Sequence, residues 1–181
     1  MITIDGGTGI ILHNGVEVAS EKMVDFWGVD TNIQSSESDS PLPGSFFTRN
    51  NKNAGASQIG TGMTVDNSSG VWTFPTTGKY MIHIHMHNRA VNTDNMYMLL
   101  ESTTDNSTYV GCQRTQSSSS GADGNSHSGS GEYFVNVTDT SQVKVRFKPQ
   151  SVASSSGGSY WEGYSSATYL LSTVTFTRLS R

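Results

Sequence analysis

Three histidines at alternate positions, His83, His85 and His87, have the spacing in this chain that best suits metal chemistry. A strand would place all three imidazoles on one face, because strand side chains alternate between faces. Imidazole nitrogens bind Zn²⁺ and Ni²⁺, and a threefold axis through an assembly would multiply the ligands. These histidines are the candidate metal ligands. The alternative, which we favour, is that they fill a polar sheet face or a subunit contact, so we assign no metal and no cofactor.

Motifs typical of enzymes are incomplete or missing in this sequence. The pair His83-x-His85 matches half of a cupin metal motif, but no Glu and further His follow it at a suitable spacing. No Gly-x-Ser-x-Gly elbow supplies a serine nucleophile between a strand and a helix. The carboxylates are too scattered to single out a glycosidase pair. We therefore predict that the protein is not an enzyme.

A cluster of aromatic residues, Tyr160, Trp161 and Tyr164, follows the Ser/Gly-rich residues 151–159. Aromatic side chains on loops stack against sugar rings or become buried in a protein contact. The cluster is therefore interpreted either as a ligand face or as a site of subunit packing.

The composition restricts the partners of this chain. Its 181 residues carry a net charge of −4 and contain no basic tract, which argues against nucleic acid as a partner. No segment approaches the roughly 20 apolar residues of a membrane span, and the N-terminus lacks the pattern of a secretion signal. Only 14% of the residues are charged, so exposed strand edges would be poorly protected against association. We expect synthesis in a cytoplasm and an obligate assembly that covers those edges.

Alternation along the chain predicts strands that would position the histidines. In residues 70–86, a Pro/Gly turn precedes a strand in which Tyr80, Ile82, Ile84 and Met86 fall on the face opposite the histidines. We interpret this segment as a hairpin of two strands joined by that turn.

The rest of the chain continues the pattern of short strands and turns. Residues 96–101 are mostly apolar, which predicts a strand buried on both faces. Residues 115–131 and 151–159 are rich in Ser and Gly and lack apolar anchors, so we expect mobile surface loops. No window has convincing helical periodicity, and short strands separated by turns predict an all-β sandwich or barrel.

Over residues 58–179 the sequence resembles the jelly-roll superfamily of the complement globular head and tumour necrosis factor. Residues 70–82 contain Trp-Thr-Phe-Pro followed by Gly-x-Tyr and an alternating strand, which is similar to the signature of that family. Residues 133–145 are similar to its paired strands around a short acidic turn, and residues 169–174 to its terminal strand. Residues 165–168 depart from the Phe-Ser-Gly element that usually precedes that strand.

The resemblance has consequences for fold and assembly. It implies an antiparallel two-sheet jelly roll that assembles as a tight homotrimer. It also implies that the aromatic cluster near the last strand lies at the trimer core, with a ligand face as the alternative.

The N-terminal residues form a separate pattern. Residues 2–10 have the sequence Ile-Thr-Ile-Asp-Gly-Gly-Thr-Gly-Ile, which is similar to the opening of many small tailed-phage virion proteins. A tight hairpin signal follows at His13-Asn14-Gly15. We predict an extended N-terminal β-arm, too short to hold a core alone, that attaches to another protein. The predicted anchor residues are Ile2, Ile4, Ile10, Ile11, Leu12, Phe26 and Trp27. The apolar residues of segment 21–30, which contains the last two, fit either an anchor or a first strand.

These patterns predict an anchoring arm in residues 1–30, a linker and first strand in residues 31–57, and a jelly-roll trimerisation domain in residues 58–181. The predicted function is that of a non-enzymatic structural protein of a tailed-phage virion, assembled in the host cytoplasm. Because the chain has no repeats or heptads to build a fibre shaft, we favour a homotrimeric capsid decoration (cement) protein. Its partner would be the major capsid protein or another virion protein. The alternative is a tail-fibre or receptor-binding head that recognises a host surface glycan.

Overall fold

The computed structural model describes residues 2–5, 10–13, 16–17, 22–34, 39–49, 57–89, 95–118, 126–152, 160–163 and 170–180. In residues 2–17 and 151–152 it describes the backbone only. The described chain is all-β apart from a 3-10 turn at Gly44–Phe46. None of the described segments forms a helix with the length and apolarity that crossing a bilayer requires.

Sixteen strands are present among the described residues. Their bounds are β1 (Ile2–Asp5), β2 (Ile10–His13), β3 (Val16–Glu17), β4 (Met23–Val29), β5 (Ile33–Gln34), β6 (Phe47–Arg49), β7 (Gln58–Ile59), β8 (Thr64–Val65), β9 (Trp72–Thr73), β10 (Gly78–Arg89), β11 (Asn95–Thr103), β12 (Val110–Ser118), β13 (Ser126–Val137), β14 (Lys144–Val152), β15 (Tyr160–Trp161) and β16 (Thr173–Ser180).

One sheet, which we call the histidine sheet, is built around β10. One edge of β10 pairs along its whole length with β13, from Gly78 opposite Val137 to Arg89 opposite Ser126. The other edge pairs with β16 and then with the short β15. On the far side of β16 lies β4, which also pairs with β6 and β7, while β5 pairs with β15. All of these pairings are antiparallel.

The second sheet, which we call the opposing sheet, has the strand order β12-β11-β14-β9-β8 and is also antiparallel. The core lies between the two sheets and is rich in aromatic rings. Trp72 of the opposing sheet contacts Trp27 and Phe176 of the histidine sheet, with ring centroids 4.9 Å and 5.0 Å apart. Each large ring removes much apolar surface from water, so these contacts hold the sheets together. The predicted all-β, two-sheet antiparallel fold is confirmed.

The strand phase of β10 is as predicted, but its hairpin is not. Tyr80, Ile82 and Ile84 are fully buried, and the histidine positions alternate with them on the other face. However, β9 belongs to the opposing sheet and β10 to the histidine sheet, so the segment between them crosses from one sheet to the other. The rings of Phe74 and Tyr80 lie at the two ends of this crossing and pack against each other in the core, with centroids 4.8 Å apart. The predicted hairpin is therefore wrong.

The acidic turn after β13 also joins the two sheets. The resemblance implied that the strands on either side of it pair with each other. Instead, β13 pairs with β10 in the histidine sheet, and β14 pairs with β11 and β9 in the opposing sheet. The Asp139 carboxylate accepts hydrogen bonds from the Ser141 backbone N–H and hydroxyl, both at 2.7 Å, which stabilises the turn that makes this crossing.

Strand β11 is fully buried on its core face, whereas its other face is half-buried at Tyr97 and Leu99 and buried at Glu101, so the prediction for residues 96–101 holds only in part. Met96, Met98 and Leu100 point into the core. Tyr97 on the other face is half-buried, and the Arg114 guanidinium lies 4.3 Å from its ring centroid. An apolar run can therefore continue onto a solvent-facing side when a long basic side chain covers the ring.

Residues 115–131, predicted as a mobile loop, belong to β12 and β13 at their two ends, and the residues between those strands lie outside the described part. A Cβ atom on Gly129 would lie 2.4 Å from the Gln116 carbonyl oxygen, and one on Gly131 would lie 1.8 Å from the Gln113 amide nitrogen. Glycine is needed at position 129, because there the backbones of the edge strands of the two sheets approach closely, whereas the Gln113 side chain could move away from a Cβ atom at position 131. The Ser/Gly-rich composition of residues 115–131 predicted a loop, but at both ends of the segment these small residues lie in strands that pack closely.

The N-terminal strands form a small sheet of their own. β2 pairs antiparallel with β1, with Ile4 opposite Ile11, and with β3, with His13 opposite Val16. This sheet pairs with none of the described strands of the two larger sheets. The attachment of this segment to another protein stays a prediction.

Candidate functional site

The outer face of the histidine sheet, which points away from the core, carries the most distinctive set of side chains in the described chain. Its central column consists of His83, His85 and His87 on β10, which we call the histidine column. Strand β16 lies on one side of the column and β13 on the other. Where both strands pair with β10, each histidine has one cross-strand neighbour on each side. The cross-strand rows, in the order β16–β10–β13, are Thr177–Met81–Phe134, Thr175–His83–Glu132 and Thr173–His85–Ser130.

The two ends of the histidine column have carboxylate partners, and its centre does not. His83 Nδ1 lies 3.4 Å from Glu132 Oε1, and His87 Nδ1 contacts the Glu162 carboxylate. Both cross-strand neighbours of His85 are uncharged. Partial burial, followed by the charges of His83 and His87, lowers the pKa of His85 below its ordinary value. The central imidazole therefore favours its neutral form.

The part of the chain that the structure describes completes no metal site at the column. Among the described residues, no group of three or more His, Cys, Asp or Glu side chains is placed to hold a metal ion. The three histidines are thus separate titratable groups on one sheet face.

An apolar pocket lies at the other end of the same face. Its volume is about 200 Å³, and Phe134 and Leu179 flank it with 62% and 48% of their surface exposed. The remaining lining residues are Lys79, Tyr80, Val135 and Asn136. Two exposed large apolar side chains beside one pocket are unusual on an isolated domain and mark a surface suited to burial. Sequence reasoning missed this feature, although Phe134 lies in the outward phase of an alternating segment.

The outer face of the opposing sheet satisfies its charges within the chain. Arg146 Nε donates to Glu101 Oε2 at 2.6 Å, and its guanidinium lies 3.9 Å from the ring centroid of Tyr109. Lys144 Nζ donates to Thr73 Oγ1 at 2.9 Å. Charged groups that are already paired gain little from a new partner. The histidine sheet differs from it in carrying two exposed large apolar side chains, Phe134 and Leu179, beside one pocket.

The predicted anchor residues do not share one location. Trp27 is 8% exposed and lies in the core against Trp72, with the Arg49 guanidinium 4.4 Å from its ring centroid. Its assignment as an anchor is corrected, because a core indole is not accessible to a partner. Phe26 is half-buried on the outer face, opposite Thr175 of β16. The predicted arm of residues 1–30 thus includes β4, an integral strand of the histidine sheet. Ile2 and Ile4 lie in β1, and Ile10, Ile11 and Leu12 lie in β2; their side chains are outside the described part.

The aromatic cluster is also divided by the structure. Trp161 is 1% exposed and belongs to the core, so it does not offer its ring to a ligand. Tyr160 is half-buried in β15, opposite Arg89. Tyr164 lies outside the described residues. The choice between a ligand face and subunit packing therefore remains only for Tyr160 and Tyr164.

A buried ion pair fixes the strand that carries Trp27. The Asp25 carboxylate is fully buried and accepts hydrogen bonds from Arg49 Nε at 2.8 Å, from Arg49 Nη2 at 3.0 Å and from the Met63 backbone N–H at 2.7 Å. The contacts join β4 to β6 and to the segment before β8. Every oxygen of the carboxylate has a partner, so this pair has a structural role.

Comparison with known proteins identifies the fold. No protein-family model and no curated protein matches the sequence. Among solved structures, the chain is similar to Eiger TNF from S. frugiperda, with a TM-score of 0.62 and 11% identity over 89% of this chain and 94% of that one. It is also similar to murine APRIL at pH 5.0, with a TM-score of 0.57 and 14% identity over 87% and 99% of the two chains. The globular domain of zebrafish complement 1qA gives a TM-score of 0.52 and 15% identity over 89% and 97%. The fold is thus the jelly roll of TNF and complement 1q proteins, as the sequence resemblance implied.

Proposed function

We propose that the protein is a non-enzymatic structural module that assembles as a homotrimer through the outer face of the histidine sheet. The observation that carries this proposal is the pair of exposed apolar side chains, Phe134 and Leu179, beside an apolar pocket on that face. A side chain of a second copy would fill the pocket and cover both residues.

The energetics favour this face over the opposing sheet. Burying a large apolar side chain completely contributes about 1.5–3 kcal/mol, and a trimer repeats each such contact three times. Phe134 is 62% exposed in the single chain, so most of this contribution is still to be gained on assembly. The low charge content of the chain also leaves its strand edges in need of cover.

A charge placed beside the pocket tests the assembly surface. Phe134→Asp should reduce the mass in solution from three times the 19.5 kDa of one chain to that of one chain, because an unpaired carboxylate would be buried at the contact. Sedimentation velocity measures this mass, and circular dichroism checks that the variant keeps its β-sheet. Val110→Asp is the matched control, since Val110 is 63% exposed in the opposing sheet. A trimeric Phe134→Asp variant, or a Val110→Asp variant that dissociates equally, would contradict the assignment.

The finer proposal is a capsid decoration protein of a tailed-phage virion. It is supported by the resemblance of residues 2–10 to virion proteins and by the N-terminal strands, which pair with none of the described strands of the sandwich. Three such segments on one trimer would bind a shell with high avidity. Once one segment is bound, the other two are held at a high effective concentration near their own sites. Trp27 is excluded from the proposed anchor because it is a core residue, so Ile2, Ile4, Ile10, Ile11, Leu12 and the half-buried Phe26 remain. The partner would be the major capsid protein.

Deletion of residues 1–19 tests this attachment. The shortened chain should remain a soluble trimer, because β4 and all later strands are kept, and should no longer bind particles in a co-sedimentation assay. Retained binding would contradict the anchor. The alternative of a receptor-binding head predicts a different copy number: a few molecules at the tail instead of many at the local threefold positions of the shell. Quantitative mass spectrometry of purified particles separates the two.

A further inference from the structure

The histidine column lies on the surface to which we assign self-association. In the single chain, the side chains of His83 and His87 are 37% and 24% exposed, so the imidazoles are already partly withdrawn from water. Contact with a second copy across this face would withdraw them further. The protonation state of the column must therefore affect the free energy of assembly, because a charged imidazole loses more hydration than a neutral one.

We propose that the histidine column is an acid-sensitive element of the assembly: neutral imidazoles permit association, and protonation of His85 opposes it. The inference rests on the self-association proposed for this face. Beyond that proposal, it states that the assembly depends on pH and that His85 is the residue responsible.

The groups that face the column single out His85. A protonated His83 has Glu132 beside it, and a protonated His87 has Glu162, so each carries its own counter-charge. No residue of β10 supplies a counter-charge to His85, because its neighbours on the same face of this strand are the other two histidines. From β16 it faces Thr173, and from β13 it faces Ser130, and both are uncharged. The remaining cations of this strand are Lys79 and Arg89, near its two ends.

The direction of the pH effect follows from these surroundings. The pKa of His85 is lowered from an ordinary value of 6.5 by burial and by the neighbouring histidines, so the folded chain already disfavours its charged form. Assembly would disfavour it further. The association constant is then highest above this pKa and falls as the pH drops through it. At pH values below the His85 pKa of the free chain, each histidine that must lose its proton weakens association by about tenfold per pH unit, so three copies weaken it by up to about 1,000-fold per unit.

The test compares the association constant of the full chain at about pH 8 and at the lowest pH that keeps the β-sheet circular dichroism signal, with equal ionic strength, by sedimentation velocity over a concentration series. The wild-type chain should be trimeric at the higher pH and dissociate at the lower one. In His85→Gln, which has no proton to gain, the ratio of the two association constants should fall close to one. In the control His13→Gln, a substitution in the separate N-terminal sheet, the ratio should match that of the wild type.

Several outcomes would overturn the inference. They are equal association of the wild-type chain at both pH values, full pH dependence retained in His85→Gln, or dissociation that coincides with loss of the β-sheet circular dichroism signal. A His85→Lys variant keeps its charge at both pH values and should be dissociated at the higher one; undiminished association of that variant would also overturn it. A wild-type chain that is monomeric at the higher pH would instead refute the proposed self-association itself, so the two failures are distinct.

Discussion

Tyr80 is the best single test of how β10 is built into the sandwich. Its side chain is fully buried, its ring lies 4.8 Å from the Phe74 ring, and its hydroxyl donates to the Thr76 carbonyl oxygen at 2.8 Å. Tyr80 therefore holds the segment between β9 and β10 in place through contacts with two of its residues. Two substitutions separate its contributions.

Tyr80→Phe removes only the hydroxyl and should lower the free energy of unfolding by about 0.5–1.5 kcal/mol, the net value of one hydrogen bond. Tyr80→Ala also removes the ring and leaves a cavity, so we expect a loss of about 3–5 kcal/mol. For a chain of this size, each kcal/mol lowers Tm by about 2–4 °C, so Tyr80→Ala should melt at least about 6 °C lower.

The assay is urea unfolding followed by tryptophan fluorescence, at one fixed protein concentration because assembly is linked to stability. Val110→Ala is the control, since this apolar side chain is 63% exposed and should change stability by less than about 0.5 kcal/mol. A neutral Tyr80→Ala would mean that the strand phase is inverted and that the histidines, not the tyrosine, face the core.

Three further predictions concern other parts of the sandwich. Asp25→Ala should lower the free energy of unfolding by about 1–3 kcal/mol in the same urea assay, because it leaves the buried Met63 backbone N–H without an acceptor and removes the two hydrogen bonds from Arg49. Gly70→Ala should lower Tm in a thermal melt, since φ is +68° and a Cβ atom would lie 1.8 Å from a backbone carbonyl oxygen; an unchanged Tm would contradict that geometry. Hydrogen bonds, first of all from the Thr108 backbone N–H, hold the pKa of Asp105 well below its ordinary value of 3.8. Its stabilising effect is therefore complete above that value and is lost as the pH falls toward the lower pKa. An NMR titration should find this carboxylate still ionised at about pH 3, where free Asp is mostly protonated.

The alternation of apolar and polar residues correctly predicted which face of β10 is buried. It did not predict which strands pair with each other. The pattern around Tyr80 identified the buried side of β10 correctly, because period-two spacing records which side chains face the core. The same pattern contains no information on which sheet a strand joins, so β9 and β10 were predicted as a hairpin although they lie in opposite sheets. Pairing of strands distant in sequence depends on contacts across the core, such as that between Trp72 and Phe176.

The candidate site was predicted only in part. The common face of the three histidines followed from their spacing, but their carboxylate neighbours did not, since Glu132 and Glu162 come from other strands or segments. Trp27 was predicted as an anchor because the apolar residues of its segment fit either an anchor or a first strand. The strand is what forms, and the Trp27 ring is buried against Trp72 of the opposing sheet, a contact between segments distant in sequence.

Native mass spectrometry of the full chain near pH 8 tests the central claim most directly, because it counts the chains in each assembly. We expect a dominant species of three times 19.5 kDa that Phe134→Asp converts to single chains. A folded wild-type chain that remains monomeric at 19.5 kDa over the whole concentration range would contradict it.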